Sequence, residues 1–308
     1  MNLSLPSSPL QEITHPLLVE KSIQCFIKRD DLLHPWLSGN KWRKLKYILK
    51  HAKEKNLTTL ISFGGAFSNH LYALAGAGKL FGFHTVGITR GEDDPNNPTI
   101  QFLRKMGMEC HFVSRLEYRH RHKHPYQEKW GKRYPNALVI PEGGRIQEAL
   151  RGVGEITHEL AHIDYDFLCC PVGSATTLAG LSAAVSCDKK VLGFAALKNA
   201  DYLKKDIQMI HQQAYQQDFP YQLKLTYHGG GFGKISPEIT EFTQQFYQQT
   251  NIPIEPIYTG KMLFGLWDMI QNDEIKQGSK IIALHTGGLQ GLDGLAYRNK
   301  FQLMKSGH

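Results

Sequence analysis

The sequence predicts an α/β protein whose sheets are open, mainly parallel and divided between two lobes. Short apolar runs of four or five residues alternate with helix-length segments along the whole chain, the pattern of successive βα units and hence of parallel strands. Several of these runs end in glycine or small hydroxylated residues where the next helical pattern starts, as ligand-binding edges of such sheets do. The 308 residues, 41% of them hydrophobic and 29 of them glycine, exceed one domain of about 100–200 residues and suit a loop-rich protein with one large core or two smaller ones.

Residues 1–18 are interrupted by Pro6, Pro9 and Pro16 and carry no Lys or Arg, which argues against a secretory signal. No uncharged apolar run reaches the roughly 18 residues of a membrane span, so the expected location is the cytoplasm. Phe26-Ile27-Lys28-Arg29-Asp30-Asp31-Leu32 reads as a strand end followed by paired charges. Next, Ser38-Gly39-Asn40-Lys41-Trp42-Arg43-Lys44-Leu45 carries one lysine from a small-residue turn into a helix. An amine nucleophile must lose its proton, which a desolvated pocket or neighbouring cations promote, and Arg43 and Lys44 stand beside Lys41. Taken alone, Lys41, Arg43, Lys44 and Lys46 read as a solvated basic face; the junctions farther along shift the balance toward chemistry.

Strands are expected at 59–63, 85–88, 110–113 and 137–140, then at 167–170, 190–194, 223–227 and 280–284. A long helix over 149–164 joins the halves, giving a smaller lobe at 48–155 and a larger one from 1–47 and 156–308. After the first strand, Gly64-Gly65-Ala66-Phe67-Ser68-Asn69-His70 offers glycines for close backbone approach and Ser68 or Asn69 as a helix cap. Pro171 through Gly180 is small, hydroxylated and free of acidic side chains, which fits a phosphate cradle as well as a capped helix. Tyr258-Thr259-Gly260-Lys261 and His285-Thr286-Gly287-Gly288 each place hydrogen-bonding side chains directly before glycine, a pattern shared with simple turns.

Other motifs fail on chemistry. Gly229-Gly230-Gly231-Phe232-Gly233-Lys234 lacks the first glycine of a nucleotide-binding loop, and Ile235 replaces the magnesium-binding hydroxyl. Gly76, Gly78 and Gly82 fall within a helical pattern with the wrong spacing for a dinucleotide fingerprint. Arg119-His120-Arg121-His122-Lys123-His124 mixes cations that repel a metal with no aromatic residue to stack bases, and reads as a surface helix. The glutamine-rich patches at 212–217 and 244–245 read as solvent faces of helices. Cys25, Cys110, Cys169, Cys170 and Cys187 are odd in number and lack a Cys-x-x-Cys spacing, so they read as buried thiols with no disulfide and no metal site. The +8 net charge favours an anionic ligand without naming it, and a phosphorylated cofactor suffices. A nucleic-acid-binding or non-catalytic protein is the remote alternative in another class.

Taken together, Ile27–Asp31, Gly39–Leu45, Ser68-Asn69-His70, Gly173–Thr177, Tyr258–Lys261 and His285–Gly288 resemble, in order and over nearly the whole chain, the pyridoxal-phosphate enzymes of the tryptophan synthase β type (fold type II). Within them the resemblance is to the 1-aminocyclopropane-1-carboxylate deaminase and D-cysteine desulfhydrase family. It implies pyridoxal 5'-phosphate bound between the lobes, a small amino-acid substrate, a homodimer and no metal. Lys41 is then the lysine that binds the cofactor covalently and moves the substrate Cα proton. Asn69 meets the cofactor's 3-oxygen, Gly173, Ser174, Ala175, Thr176 and Thr177 hold the phosphate, and Thr286 meets the ring nitrogen. Ser68, Asn69, His70 and Tyr258 face the substrate, with Ser68 and Tyr258 as acid or base.

A neutral hydroxyl at the ring nitrogen suits β-elimination, which needs less carbanion stabilisation than a protonated ring provides. Deaminases of the family carry glutamate directly after the tyrosine, and this chain has Thr259. The resemblance therefore implies a D-cysteine desulfhydrase-like reaction giving pyruvate, ammonia and sulfide; its alternative gives 2-oxobutanoate from 1-aminocyclopropane-1-carboxylate. Phe67, Thr176 and Phe232 depart from the family pattern, and Phe67 and Phe232 are expected to remove polar contacts near the substrate.

Overall fold

In the computed structural model residues 5–303 are described, so the extreme ends of the expected larger lobe lie outside the described residues. Among the described residues ten strands form two sheets: β1 (Leu10–Ile13), β2 (Gln24–Lys28), β3 (Thr59–Gly65), β4 (His84–Arg90), β5 (Glu109–Val113), β6 (Ala137–Ile140), β7 (Phe167–Val172), β8 (Lys190–Ala195), β9 (Gln222–Lys224) and β10 (Lys280–Leu284). The larger sheet has the order β1-β2-β10-β7-β8-β9 and the smaller β5-β4-β3-β6. All pairings are parallel except the edge pair β1–β2, whose register sets Leu10 opposite Lys28 and Ile13 opposite Cys25. Parallel strands covered on both faces carry continuous apolar runs, as Ile281-Ile282-Ala283-Leu284 does with every side chain buried.

The helix Gly39–Glu54 is the principal tie between the sheets. Its buried residues Trp42, Leu45, Ile48, Leu49 and Ala52 recur at helical spacing and pack into the core over the smaller sheet with Leu60, Leu71 and Leu74. Its N-terminus instead docks on the larger sheet, where Asn40 N donates to Thr286 O at 3.3 Å. Helix Gln147–Glu159 returns the chain alongside it, Gly152 lying where an added Cβ would come 1.8 Å from Arg43 O. Positions 47/48 and 155/156, taken from sequence as lobe limits, both fall inside these helices.

Local structure differs from the sequence reading in several places. The strand expected over 223–227 stops at Lys224, because Tyr227 leaves the sheet to lie on Gly265 and donate its hydroxyl to Asp268 at 2.7 Å. The basic stretch near 120 is an exposed 3-10 turn, Arg119–His122, preceding helix His124–Gly131. Arg43 and Lys44 are buried rather than solvated, and Cys187 is exposed rather than buried. Among the described residues no helix is long and apolar enough to cross a membrane.

Candidate active site

Strands β2, β10 and β7 are adjacent and parallel, so the segments leaving their carboxyl ends emerge side by side. The first leads to Lys41, the second is Thr286-Gly287-Gly288 and the third is Gly173–Thr177. Gly39 brings them into contact. It sits at φ +63°, and an added Cβ would lie 1.8 Å from Thr286 O, so a side chain there is excluded both by conformation and by space. Asn40 then bridges the three segments, its backbone to Thr286 O and its Nδ2 to Thr177 Oγ1 at 3.0 Å, while its Oδ1 accepts from Lys41 Nζ at 2.8 Å. Burial lowers Lys41 from 10.5 to about 8, the charge of Glu255 opposing the shift.

A buried ion network holds the helix start. Arg43 donates to both oxygens of Asp30 at 3.0 and 2.9 Å and pairs with Glu159, which also takes Lys28 at 2.6 Å. Arg29 forms a two-pronged pair with Asp31 at 2.9 and 2.8 Å. The paired charges after β2 thus lock the turn, since a buried charge persists only when matched and hydrogen-bonded. His285 completes the frame from β10: its Nε2 lies 2.8 Å from Pro253 O and its Nδ1 accepts from Gly287 N at 3.2 Å. This network assigns the neutral Nε2–H tautomer.

Lys44, one turn beyond Lys41 and so on the same helix face, is 1% exposed. Its Nζ donates to Ser174 Oγ at 3.2 Å and Gly143 O at 3.3 Å. Burial, then the charge of Lys41, lowers it well below an ordinary lysine, an arrangement that a bound anion relieves. The Ser174 side chain makes no capping bond at the start of helix Ala175–Ser182, leaving amide donors there. Thr176 Oγ1 is buried without a partner. At Gly173 a Cβ would come 2.7 Å from Tyr258 Cε1, so the cradle has no room for a side chain. A lysine, unpaired amides, an unpaired hydroxyl and no carboxylate in the loop fit a phosphate monoester.

On the smaller lobe, Ser68 caps helix Asn69–Phe81, its Oγ accepting from Leu71 N at 3.2 Å. Asn69 reaches across to the larger lobe, where its Oδ1 accepts from Gln290 Nε2 at 3.0 Å and its Nδ2 lies 2.9 Å from a Cβ built on Gly288. His70 is 3% exposed, with Nε2 2.9 Å from Ser62 Oγ, which itself donates to Ile140 O. The imidazole is enclosed, with its Nδ1 buried and unpartnered. Burial and the charges of Lys41 and Lys44 push it down to about 3, so it is neutral.

Tyr258 precedes helix Thr259–Gln271, whose first amides are held by a carboxylate that sequence reading did not single out. Glu255 is 2% exposed and accepts from Ile257, Tyr258 and Thr259 N at 2.7–3.1 Å. Burial raises it to about 7 against those donors. Burial and the charges of Glu255 and Glu142 hold the Tyr258 hydroxyl above the ordinary phenol range, which keeps it protonated as a donor. Thr259 is fully buried with Oγ1 unpartnered. Phe67, expected near the substrate, lays its ring on Gly294 beneath the Arg298 guanidinium at 4.2 Å. Phe232 by contrast stands 6.3 Å from the Tyr258 ring.

The site thus gathers Lys41, Asn69, Ser174, Thr177, Tyr258 and Thr286, and adds Asn40, Lys44 and Glu255. The helical spacing from Lys41 was the signal for Lys44; an acidic residue just before a helix start was the signal for Glu255. Among the described residues no cluster has the composition of a metal site.

Comparison with known proteins agrees in scale with this geometry. Residues 8–287 match the family model described as "Pyridoxal-phosphate dependent enzyme". A putative 1-aminocyclopropane-1-carboxylate deaminase of Thermotoga maritima is 32% identical, over 95% of this chain and 97% of the relative. A mitochondrial protein of Arabidopsis thaliana, named bifunctional D-cysteine desulfhydrase/1-aminocyclopropane-1-carboxylate deaminase, is 29% identical over 87% of this chain and 73% of its own. The crystal structure of a 1-aminocyclopropane-1-carboxylate deaminase homologue superposes with a TM-score of 0.85 at 26% identity, covering 96% of this chain and 94% of that one. A fungal L-serine ammonia-lyase from Rhizomucor miehei shares the fold at a TM-score of 0.66 and 15% identity.

Proposed function

The chain belongs to the pyridoxal-phosphate dependent enzymes, within them to the 1-aminocyclopropane-1-carboxylate deaminase and D-cysteine desulfhydrase family, and from that premise we propose that it eliminates the β-substituent of a small amino acid, D-cysteine in the first instance. The products are pyruvate, ammonia and sulfide. The observation that carries the reading is the Gly39–Asn40 contact, which sets the lowered Lys41 amine between the Ser174–Thr177 cradle and the uncharged Thr286 segment.

Bound there, pyridoxal phosphate supplies an electron sink for the substrate Cα. Lys41 Nζ, cheaper to deprotonate than an ordinary lysine, takes the Cα proton. Lys44 Nζ, Ser174 and the amides that open helix Ala175–Ser182 bind the phosphate and orient the ring. Thr286 offers the ring nitrogen a neutral hydroxyl rather than a carboxylate, which favours elimination over reactions that need a deeper sink. Asn69 binds the 3-oxygen side, and Ser68 and Asn69 contact the substrate carboxylate. The protonated Tyr258 hydroxyl donates to the leaving group. The uncharged Thr259 beside it supports desulfhydration. Ring-opening of 1-aminocyclopropane-1-carboxylate is the second reading, favoured by the names the relatives carry.

Product analysis tests both: sulfide with pyruvate from D-cysteine supports the first, and 2-oxobutanoate from the cyclopropane substrate the second. A visible absorption band that borohydride abolishes and Lys41→Ala lacks is expected. Wild type saturated with pyridoxal phosphate but lacking the band would defeat the enzymatic reading.

A further inference from the structure

Phe232 exposes 61% of its surface although it stands beside the cleft. Its ring centroid lies 6.3 Å from that of Tyr258, inclined at 59°, and Tyr258 in turn closes on Gly173 at the start of the phosphate cradle. A ring left in water forgoes the stabilisation that burial gives, so its mounting matters. Phe232 rides on a loop whose Gly229, Gly230, Gly231 and Gly233 take φ of +57°, +90°, +118° and +66°, a path closed to most side chains.

The loop is nevertheless pinned. Lys261, 1% exposed, buries its ammonium to donate to Gly231 O at 2.9 Å and Ala196 O at 3.2 Å. Gly231 N donates to His228 O at 3.0 Å, and Gly230 N to His228 Nδ1 at 3.1 Å. Burying a cation is costly unless its donors are satisfied, and here it fixes the residue next to Phe232. Lys261 lies in the first turn of helix Thr259–Gln271, directly after Tyr258. The two rings are thus held on one frame, the inner against the cradle and the outer at the cleft mouth.

We propose that Phe232 and Tyr258 form the wall that receives the substrate's β-substituent, so that the enzyme prefers amino acids whose leaving group has an apolar body, S-alkyl and S-aryl cysteines, over free cysteine. The proposal rests on the elimination reading above. The Cβ–S bond breaks, the thiolate leaves with the electron pair and is protonated, and one water is consumed. An S-substituted cysteine and water thereby give a thiol, pyruvate and ammonium, with no oxidant or reductant required.

The test compares kcat/KM of the holoenzyme for cysteine and S-benzylcysteine, each as D and L enantiomers, in wild type, Phe232→Ser and Phe232→Tyr. Binding of α-methyl-S-benzylcysteine, which has no Cα hydrogen to lose, is measured alongside by calorimetry. Wild type is expected to favour the benzyl substrate. Phe232→Ser is expected to shift that preference toward cysteine about tenfold, mainly through KM, and to weaken the analogue by a similar factor, with Phe232→Tyr restoring both. Equal losses for both substrates, or unchanged analogue binding, would overturn the proposal. If no thiol compound is eliminated by wild type, the elimination reading fails, and the analogue's affinity for wild type against Phe232→Ser still decides the role of the ring.

Discussion

Stripping the cofactor and titrating Lys41 in the apo-protein tests the electrostatics on which the site depends. Burial takes this lysine from 10.5 to about 8. At pH 7.5 an amine titrating at 10.5 is about one part in a thousand unprotonated, and one at about 8 roughly a quarter, a gain of roughly 240-fold in reactive amine. Trace acetylation with acetic anhydride between pH 6.5 and 10.5, quantified at Lys41 by mass spectrometry against a free amine in the same tube, reads the midpoint directly. It is expected at about 8. Glu255→Gln should move it lower, because the Glu255 charge favours the ammonium; Glu255 itself titrates at about 7, so the charge is present at the Lys41 midpoint. A midpoint above about 9.5, or an upward shift in Glu255→Gln, would refute the desolvation account.

Gly39→Ala should abolish cofactor retention and lower Tm, because left-handed backbone costs ~1–2 kcal/mol before the contact with Thr286 O is relieved; full occupancy with unchanged Tm would sink the docking argument. Lys44→Met should weaken pyridoxal phosphate by roughly 10- to 100-fold in equilibrium dialysis, the loss of one charge-assisted hydrogen bond of ~1.5–3 kcal/mol, while the fold survives as judged by circular dichroism. Arg43→Met removes the ion-pair partner of Asp30, wholly buried, and leaves Glu159, about a fifth exposed, with Lys28 alone. It should cost ~3–5 kcal/mol in denaturant unfolding, the lower end reflecting solvent at Glu159, and a loss under ~1 kcal/mol would remove the network from the stability account.

The strand at 280–284 was legible to the residue, because its four consecutive apolar side chains, Ile281 to Leu284, are buried on both faces and leave no competing pattern. The strand over 223–227 was overread: alternation carried through Tyr227, but a long-range hydrogen bond to Asp268 and the space over Gly265 pulled that residue from the sheet. The edge strand Leu10–Ile13 went unread because a four-residue segment with two polar side chains has no periodicity of its own. Taken alone, the octet made Lys44 part of a solvated face, since local charge density is all a short segment offers; its burial comes with Gly143 and Ser174, both about 100 or more positions away. Phe67 was legible as an unusual residue but not in direction, because its partner Gly294 lies far along the chain.

By itself the sequence determined the alternation of elements, the covalent candidate Lys41, and the hydroxyl-rich and glycine-rich junctions, since each depends on residue type and short spacing. Only the tertiary structure decided which junctions meet. Adjacency of β2, β10 and β7 and the close approach at Gly39 set Lys41 beside Thr286 and Thr177, and enclosure converted Lys44, His70 and Glu255 from ordinary titratable groups into shifted ones. The physical reason is that desolvation and charge act through space, so the shift of a group depends on what the fold packs around it rather than on its immediate neighbours in sequence alone.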